Sequence, residues 1–380
     1  YTFVKTLLFY VLVEFAFALW LILAVADKEC RPRLSVLTGA VSLFLIFMGI
    51  ASYIGVNASK SVWSDFERMF GLVTWLHAGV FFLVLSSVVR KPAEWRMIWK
   101  VILSTGAVVA LVAVWQGFTA SDLSISTIGN AAYLSSYMGP LFFLTGMFVL
   151  EEKKFTKRAW MHAGLLALFA IALIFTQARA GIAGLLGGIG AGSLLFLMFG
   201  NSEESTVGFP NKSLKKYGIA SAVIFLAVFG SFAFLLPNAA SHLPGPFRGL
   251  LDFSFENRTT SGRFLVWSVA WEGWKEKLLF GWGPENFGIA FNSQYRPRLY
   301  AQEPWFDRAP NFLFDYGVTT GVAGLLTYLG VFGAAIFMLM QKWQQGTILF
   351  WQMVMLISDL VAVLTQNLFT FDTISSLIVV

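Results

Sequence analysis

GIAGLLGGIGAGSLLFLMFG, residues 181–200, is an uninterrupted stretch without a single charged side chain. About 20 apolar residues coiled as an α-helix cross the hydrocarbon of a bilayer. The stretch is continuously apolar rather than alternating, so it is not a barrel strand. Gly184, Gly188 and Gly192 fall on one face of that helix, the small-xxx-small pattern that lets membrane helices approach closely. They are not a dinucleotide-binding fingerprint, because no strand precedes them.

Segments of the same kind recur on both sides of it. About ten spans are expected, roughly 6–26, 34–54, 69–89, 98–116, 131–150, 160–176, 181–200, 218–237, 311–340 and 347–366. The ninth is longer than a span needs, and its first turns, from Asn311 to Gly321, are expected to stand proud of the membrane or tilt. Composition agrees. Of 380 residues, 57% are hydrophobic, 17% aromatic and only 13% charged. A soluble domain carries about a quarter charged residues. A soluble globular enzyme, a disordered chain and a disulfide-stapled secreted module are therefore excluded. The fold class is all-α, a polytopic integral membrane protein. The single cysteine, Cys30, and the three scattered histidines, His77, His162 and His242, argue against a metal centre.

Lys and Arg give the orientation. The loops after spans 1, 3, 5, 7 and 9 hold fifteen of them, against Lys60, Arg68 and Arg179 in the short loops between. The basic side is read as cytoplasmic. Tyr1 then starts outside, and both ends are expected to be cut from a longer protein of about a dozen spans. Three regions follow: membrane helices over 1–237, a long external loop over 238–310, and further membrane helices over 311–380.

A loop this long in a compact membrane protein is usually functional. Thr260 and Ser261 are suited to cap a helix running to Leu279. Trp267, Trp271 and Trp274 recur along it at helical spacing and are expected to pack the loop onto the bundle at headgroup level rather than stack on sugars. A second short helix is expected over about 284–295, with Pro284 in its first turn.

Arg179 stands in TQARAG (176–181), at the junction of the sixth and seventh spans. An arginine in mid-membrane costs about 2.5–3.5 kcal/mol; near the interface it snorkels more cheaply. Its neighbours Ala178, Ala180 and Gly181 are small and leave room for an anion, which a guanidinium grips bidentately. Arg263, at the start of the external helix, is a second candidate for phosphate. Asp307, Arg308 and Asn311 stand at the mouth of the ninth span, with Glu303 close before them. Asp307 is read as a base, a partner of Arg308, or a helix-start charge. Glu14, His77, Asp359 and Gln366 within spans are read as helix-to-helix hydrogen bonders.

The motifs NASKSVWSDFERMFG (57–71), TIGNAAYLSSYM (127–138), TQARAG (176–181), SGRFLVW (261–267), LLFGWGPENF (278–287), WFDRAPNFLFD (305–315), TTGVAGLL (319–326) and QNLFTFDT (366–373), in this order, resemble the O-antigen ligase and O-antigen polymerase superfamily. The resemblance covers roughly 55–373. It implies an all-helical glycosyltransferase of the bacterial inner membrane, with no metal or other cofactor and with no nucleic-acid partner. The donor it implies is a glycan on undecaprenyl diphosphate at the periplasmic face, and the acceptor a lipid A-core sugar. Relatives polymerise repeat units or glycosylate protein. By motif match, Arg179 and Arg263 would hold the diphosphate, with Arg68 in the first external loop as a further contact.

One position departs from the motif. The family resembling this chain carries a histidine in the segment before the ninth span, thought to act as general base. Pro310 stands there instead, and proline offers no side-chain proton acceptor. Asp307, Glu303 or His242 would have to substitute, or the chain binds donor lipid without turning it over. The other competing reading is a transporter of an anionic lipid or sugar. Transporters pair broken helices in related halves, and the sequence offers one small-residue junction, at 176–181, which favours the enzyme.

Overall fold

The computed structural model describes residues 2–119, 123–152, 156–200, 219, 222–223, 258–301 and 304–377. The helices are α1 (Thr2–Ala26), α2 (Val36–Ile54), α3 (Ala58–Trp63), α4 (Leu72–Val88), α5 (Pro92–Thr119), α6 (Ala131–Glu151), α7 (Lys157–Phe175), α8 (Arg179–Phe199), α9 (Arg258–Glu276), α10 (Phe287–Ser293), α11 (Phe312–Gln344), α12 (Phe350–Asn367) and α13 (Ile374–Leu377). No strand occurs among the described residues. Seven of the helices, α1, α2, α5, α6, α7, α8 and α11, are long and apolar enough to cross a membrane. α4 is a shorter apolar helix. The span expected over 218–237 and much of the loop after it lie outside the described residues.

Helix starts follow local chemistry. Ser35, Asn57, Asn130 and Thr156 each accept hydrogen bonds from backbone N–H groups of the first turn of α2, α3, α6 and α7. This satisfies donors that a helix leaves open.

The chain divides into two compact units. One comprises Tyr1–Ile98, Arg258–Ala335 and Thr370–Ile378. In it α1 packs on α4, and His77 Nε2 lies 3.2 Å from Glu14 Oε1, so these two polar groups bridge the helices as expected. α9 and α10 share an apolar core of Val266, Val269, Ala270, Phe287 and Phe291 with Val318 of α11. The tryptophans pack this loop region down: Trp267 stacks on Phe314 at 6.0 Å, and Trp274 covers Gly317.

The other unit comprises Trp99–Asn257, Ile336–Phe369 and Val379–Val380. Its centre is α6, 67% buried, where the other six candidate spans reach at most 22%. α8 packs along α12. A Cβ on Gly184 would lie 2.8 Å from Ala362 O, and one on Gly188 2.6 Å from Ser358 O. The glycine face is therefore a close helix contact, as its spacing indicated. Gln366 bridges helices too, donating to Ser135 Oγ at 3.0 Å and Ser136 Oγ at 2.7 Å.

Two expectations are corrected. α9 begins at Arg258, before the anticipated cap at Thr260–Ser261, and ends at Glu276. α10 begins at Phe287, because Glu285 takes a left-handed φ of 62° and Asn286 sits at the cap position; Pro284 lies outside it. The long ninth span is also broken at Gly321, with φ 69° and ψ −171°, where its first turns end. The break is filled by backbone from 278–283. Trp282 N and Gly283 N donate to Val318 O and Thr319 O, both at 2.8 Å, while Val322 N and Ala323 N donate to Leu278 O and Leu279 O. Irregular backbone at membrane depth persists only where such partners exist.

Candidate functional site

Four segments of the first unit meet around one cluster: 55–71, 282–287, 306–316 and 370–373. The turn Trp282–Asn286 is clamped to the first of these. Val56 N donates to Trp282 O at 2.9 Å. Asn286 Nδ2 donates to Ser61 Oγ at 3.1 Å. Gly283, at φ 97°, approaches so closely that a Cβ would lie 2.6 Å from Ser61 Oγ and 2.8 Å from Gly55 Cα. Glu285 is thereby turned inward, 8% exposed, and its Oε2 accepts from Ser64 Oγ at 2.7 Å. Ser64 (φ 64°), Met69 (φ 51°) and Glu285 (φ 62°) are all left-handed without being glycine. Such conformations cost about 1–3 kcal/mol each and gather at functional sites.

Asp65 shapes the loop carrying Arg68 by accepting from the backbone N–H groups of Glu67 and Arg68. Arg68 then grips Asp307 with two donors, Nη2 to Oδ1 at 2.9 Å and Nε to Oδ2. Arg308 lies deeper. Its Nε donates to Asp315 Oδ2 at 3.0 Å, its Nη2 donates to the same oxygen, and its Nη1 reaches Asp372 O at 3.3 Å. Phe371 and Phe70 flank its guanidinium at 4.6 and 5.1 Å. Tyr316 OH donates to Asp372 Oδ2 at 2.7 Å. Asp315 Oδ1 is buried and has no hydrogen-bond partner among the described residues. A cavity of about 20 Å³ opens here, lined by Trp75, Glu285, Asp307, Arg308 and Asp315.

The electrostatics separate the carboxyls. Burial alone would raise Asp307, but the hydrogen bond and charge of Arg68 outweigh it and hold the group below the usual carboxylate range. Burial raises Glu285, and the opposing pull of Arg308 and of the Ser64 hydroxyl does not cancel it. Burial would lower Arg308, but Asp315 and Glu285 overcome this and keep it charged. A depressed Asp307 contributes stability above the ordinary carboxylate pKa, lost as pH falls through its folded value. Arg68→Ala is therefore expected to cost about 2 kcal/mol at neutral pH. The gap to the parent protein should narrow below about pH 4. Unfolding curves at pH 7 and at about pH 2, below the ordinary carboxylate range, check this; a gap that does not change between them would contradict the assignment.

The sequence candidates fare differently. Arg68, Asp307 and Arg308 come together, but Arg308 pairs with Asp315, not with its neighbour Asp307. Asn311 is 5% exposed and its Oδ1 accepts from Leu313 N at 2.8 Å, so it shapes the start of α11. Pro310 is half-buried beside it. Arg263 sits in the second turn of α9, not at its start, which removes the helix-terminus argument for it. Arg179 is the first residue of α8, in the other unit. Its small neighbours do not leave space: a Cβ on Gly181 would lie 2.6 Å from Ser135 Cβ, and Ala180 is 4% exposed. Glu303 and His242 lie outside the described residues.

Glu285, Asp315 and Asp372 were not among the sequence candidates. All three lie inside quoted motifs, LLFGWGPENF, WFDRAPNFLFD and QNLFTFDT, and each is the motif's last or only carboxylate. That was the available signal.

No curated protein sequence matches the chain. A family model described as O-antigen ligase matches residues 164–329, a stretch that contains Arg179, Arg263, Glu285, Asp307, Arg308 and Asp315. Its members are membrane glycosyltransferase-like enzymes, a role the multi-pass helical architecture fits. The match to residues 164–329, which takes in TQARAG, SGRFLVW, LLFGWGPENF, WFDRAPNFLFD and TTGVAGLL, supports the O-antigen ligase superfamily that the motifs resemble.

Proposed function

We propose that this protein transfers a glycan from undecaprenyl diphosphate to a sugar hydroxyl of a lipid A-core acceptor, at the periplasmic face of the bacterial inner membrane. The observation that carries the reading is the buried cluster of Arg308, Asp315, Glu285 and Asp307 around a cavity, within or beside the segment that matches the ligase family. In the reaction the acceptor oxygen attacks the anomeric carbon, and the diphosphate leaves with the bonding electrons. Cations placed where that charge develops lower the barrier. Arg179 and Arg263 are the proposed diphosphate contacts, and no metal is assigned a role. The concentration of basic loops on one side of the alternating spans supports the assigned face. Polymerisation of repeat units and transfer to protein use the same chemistry with another hydroxyl.

Two observations support other readings. Pro310 cannot accept a proton, which favours a donor-lipid binder without turnover. The break at Gly321 adds a discontinuous helix to the junction at 176–181, so the count of junctions no longer argues against a transporter.

The test is donor binding and transfer in proteoliposomes, with undecaprenyl-diphosphate glycan and lipid A-core. Arg179→Ala is expected to weaken donor binding about tenfold or more, the loss of a charge-assisted hydrogen bond. Lys277→Ala, whose ammonium sits over the Trp282 ring at 4.9 Å, should bind as the parent does. Equal binding by both variants would refute the role of Arg179. Transfer gained only in Pro310→His would identify a disabled ligase, and glycan flux without transfer would identify a transporter.

A further inference from the structure

We propose that Glu285 takes the proton of the acceptor hydroxyl, doing in this chain what a histidine at position 310 would do. The inference rests on the transfer reaction proposed above and names a catalytic residue for it.

The geometry singles out this carboxyl. The cavity, about 20 Å³, has room for one water-sized group such as a hydroxyl. A second, independent observation bears on what that group is. Asp315 Oδ1 lines the same cavity, buried and without a donor among the described residues. A buried carboxylate oxygen is normally hydrogen-bonded, so the cavity is built to receive an O–H. Three carboxyls face the incoming hydroxyl. Asp307 has both oxygens occupied by Arg68. Asp315 has its Oδ2 held by Arg308 Nε and Nη2, which fixes its carboxylate as an acceptor for the hydroxyl at Oδ1. Among the described residues Glu285 is held by the Ser64 hydroxyl, at Oε2, so the proton arrives at Oε1. Its proton affinity is raised by burial, in the direction a base working near neutral pH needs. The left-handed backbone at both Glu285 and Ser64 holds the carboxyl inward against local preference.

In the complex the hydroxyl is shared between Asp315 Oδ1 and Glu285. As its oxygen forms the bond to the anomeric carbon, the O–H bond breaks and the proton passes to Glu285. The bond from that carbon to the diphosphate oxygen breaks, and its electron pair leaves with the diphosphate. Glu285 returns the proton to water once product departs. The charged groups around Glu285 are Arg308, Asp315 and Asp65, with Arg68 and Asp307 sharing the cluster.

The test is transfer by the full chain in proteoliposomes between pH 5 and 9, with donor binding measured in parallel. Glu285→Gln, near-isosteric and able to accept from Ser64, should lose about 10²–10⁴-fold in kcat. Its donor binding should stay intact and the acidic limb of the pH profile should vanish. Ser64→Ala gives a second readout that does not depend on Glu285→Gln folding. Removing a hydrogen bond that favours the charged carboxylate should move the acidic limb to higher pH. Glu285→Gln retaining more than a tenth of the parent rate, or a limb unmoved in Ser64→Ala, overturns the assignment while leaving the transfer reaction standing. A parent protein that binds no donor and transfers no glycan overturns the reaction and this inference with it.

Discussion

Arg308→Met should destabilise the protein by about 3–5 kcal/mol, the cost of leaving one partner of a buried ion pair alone. The guanidinium and the Asp315 carboxylate are 7% and 4% exposed, so neither recovers water when its partner goes. The same substitution removes the donor to Asp372 O and the stacking of the guanidinium on Phe70 and Phe371. Folded proteins are stable by only about 5–15 kcal/mol, so much of the stability is at stake. Arg308→Lys keeps the charge but lacks the fork that spans Asp315 and Asp372 O, and should fall between. Pairing Arg308→Met with Asp315→Leu takes away the orphaned charge. The double variant should recover at least about 1–3 kcal/mol relative to the sum of the two single changes. Unfolding midpoints in detergent for the four proteins give the coupling directly. A single variant within about 0.5 kcal/mol of the parent, the range of an ordinary surface change, would mean that Arg308 and Asp315 are not the buried pair described. Stability recovered without transfer activity in the double variant would show that the pair is kept for chemistry rather than for folding.

The legibility of this protein in its sequence divides along physical lines. The helices were readable because a bilayer demands about 20 apolar residues per crossing, a constraint imposed on each segment alone. The contact face of Gly184, Gly188 and Gly192 was readable for the same reason, since its period is local. Partner choice was not. Asp307 adjoins Arg308 in the chain, yet each pairs elsewhere. Asp307 is met by Arg68 of the first loop, and Arg308 by Asp315 after the chain has turned into α11. Those pairings depend on where distant segments return, which no local pattern encodes. Glu285 falls within the short helix expected over about 284–295, and nothing in that local pattern marks it as buried; its burial comes from the clamp between Asn286 and Ser61, far apart in sequence. The small residues around Arg179 read as room for an anion, and Ser135 shows that at Gly181 they are packing, a distinction only the tertiary contact makes. Gly321 sat inside an apolar run and carried no mark to distinguish it from Gly330.

That last pair separates sharply by experiment. Gly321→Ala is expected to be among the most damaging single-methyl additions in the chain, and Gly330→Ala among the mildest. Both lie in α11. At Gly330 a Cβ meets nothing within 4 Å, and alanine favours a helix over glycine by up to about 1 kcal/mol. At Gly321 the φ of 69° is left-handed, which costs an L-residue about 1–2 kcal/mol before any contact is counted. The new methyl would also overlap the backbone of Leu279 and Phe280, atoms that cannot swing aside as a side chain does. Relief requires the 278–283 segment to lift away. That breaks the four backbone bonds joining it to Val318, Thr319, Val322 and Ala323, in a helix break where few other partners exist. Each bond contributes about 1 kcal/mol net, and more when its loss strands a buried group. The expected total is several kcal/mol. Because the lifted segment leads straight into Gly283 and Glu285, the damage should reach the cavity. Amide exchange at Trp282, Gly283, Val322 and Ala323 should accelerate by orders of magnitude in Gly321→Ala and stay at the parent rate in Gly330→Ala. Unchanged protection in Gly321→Ala would mean that the helix runs through this point unbroken, and that Glu285 is not held inward by it.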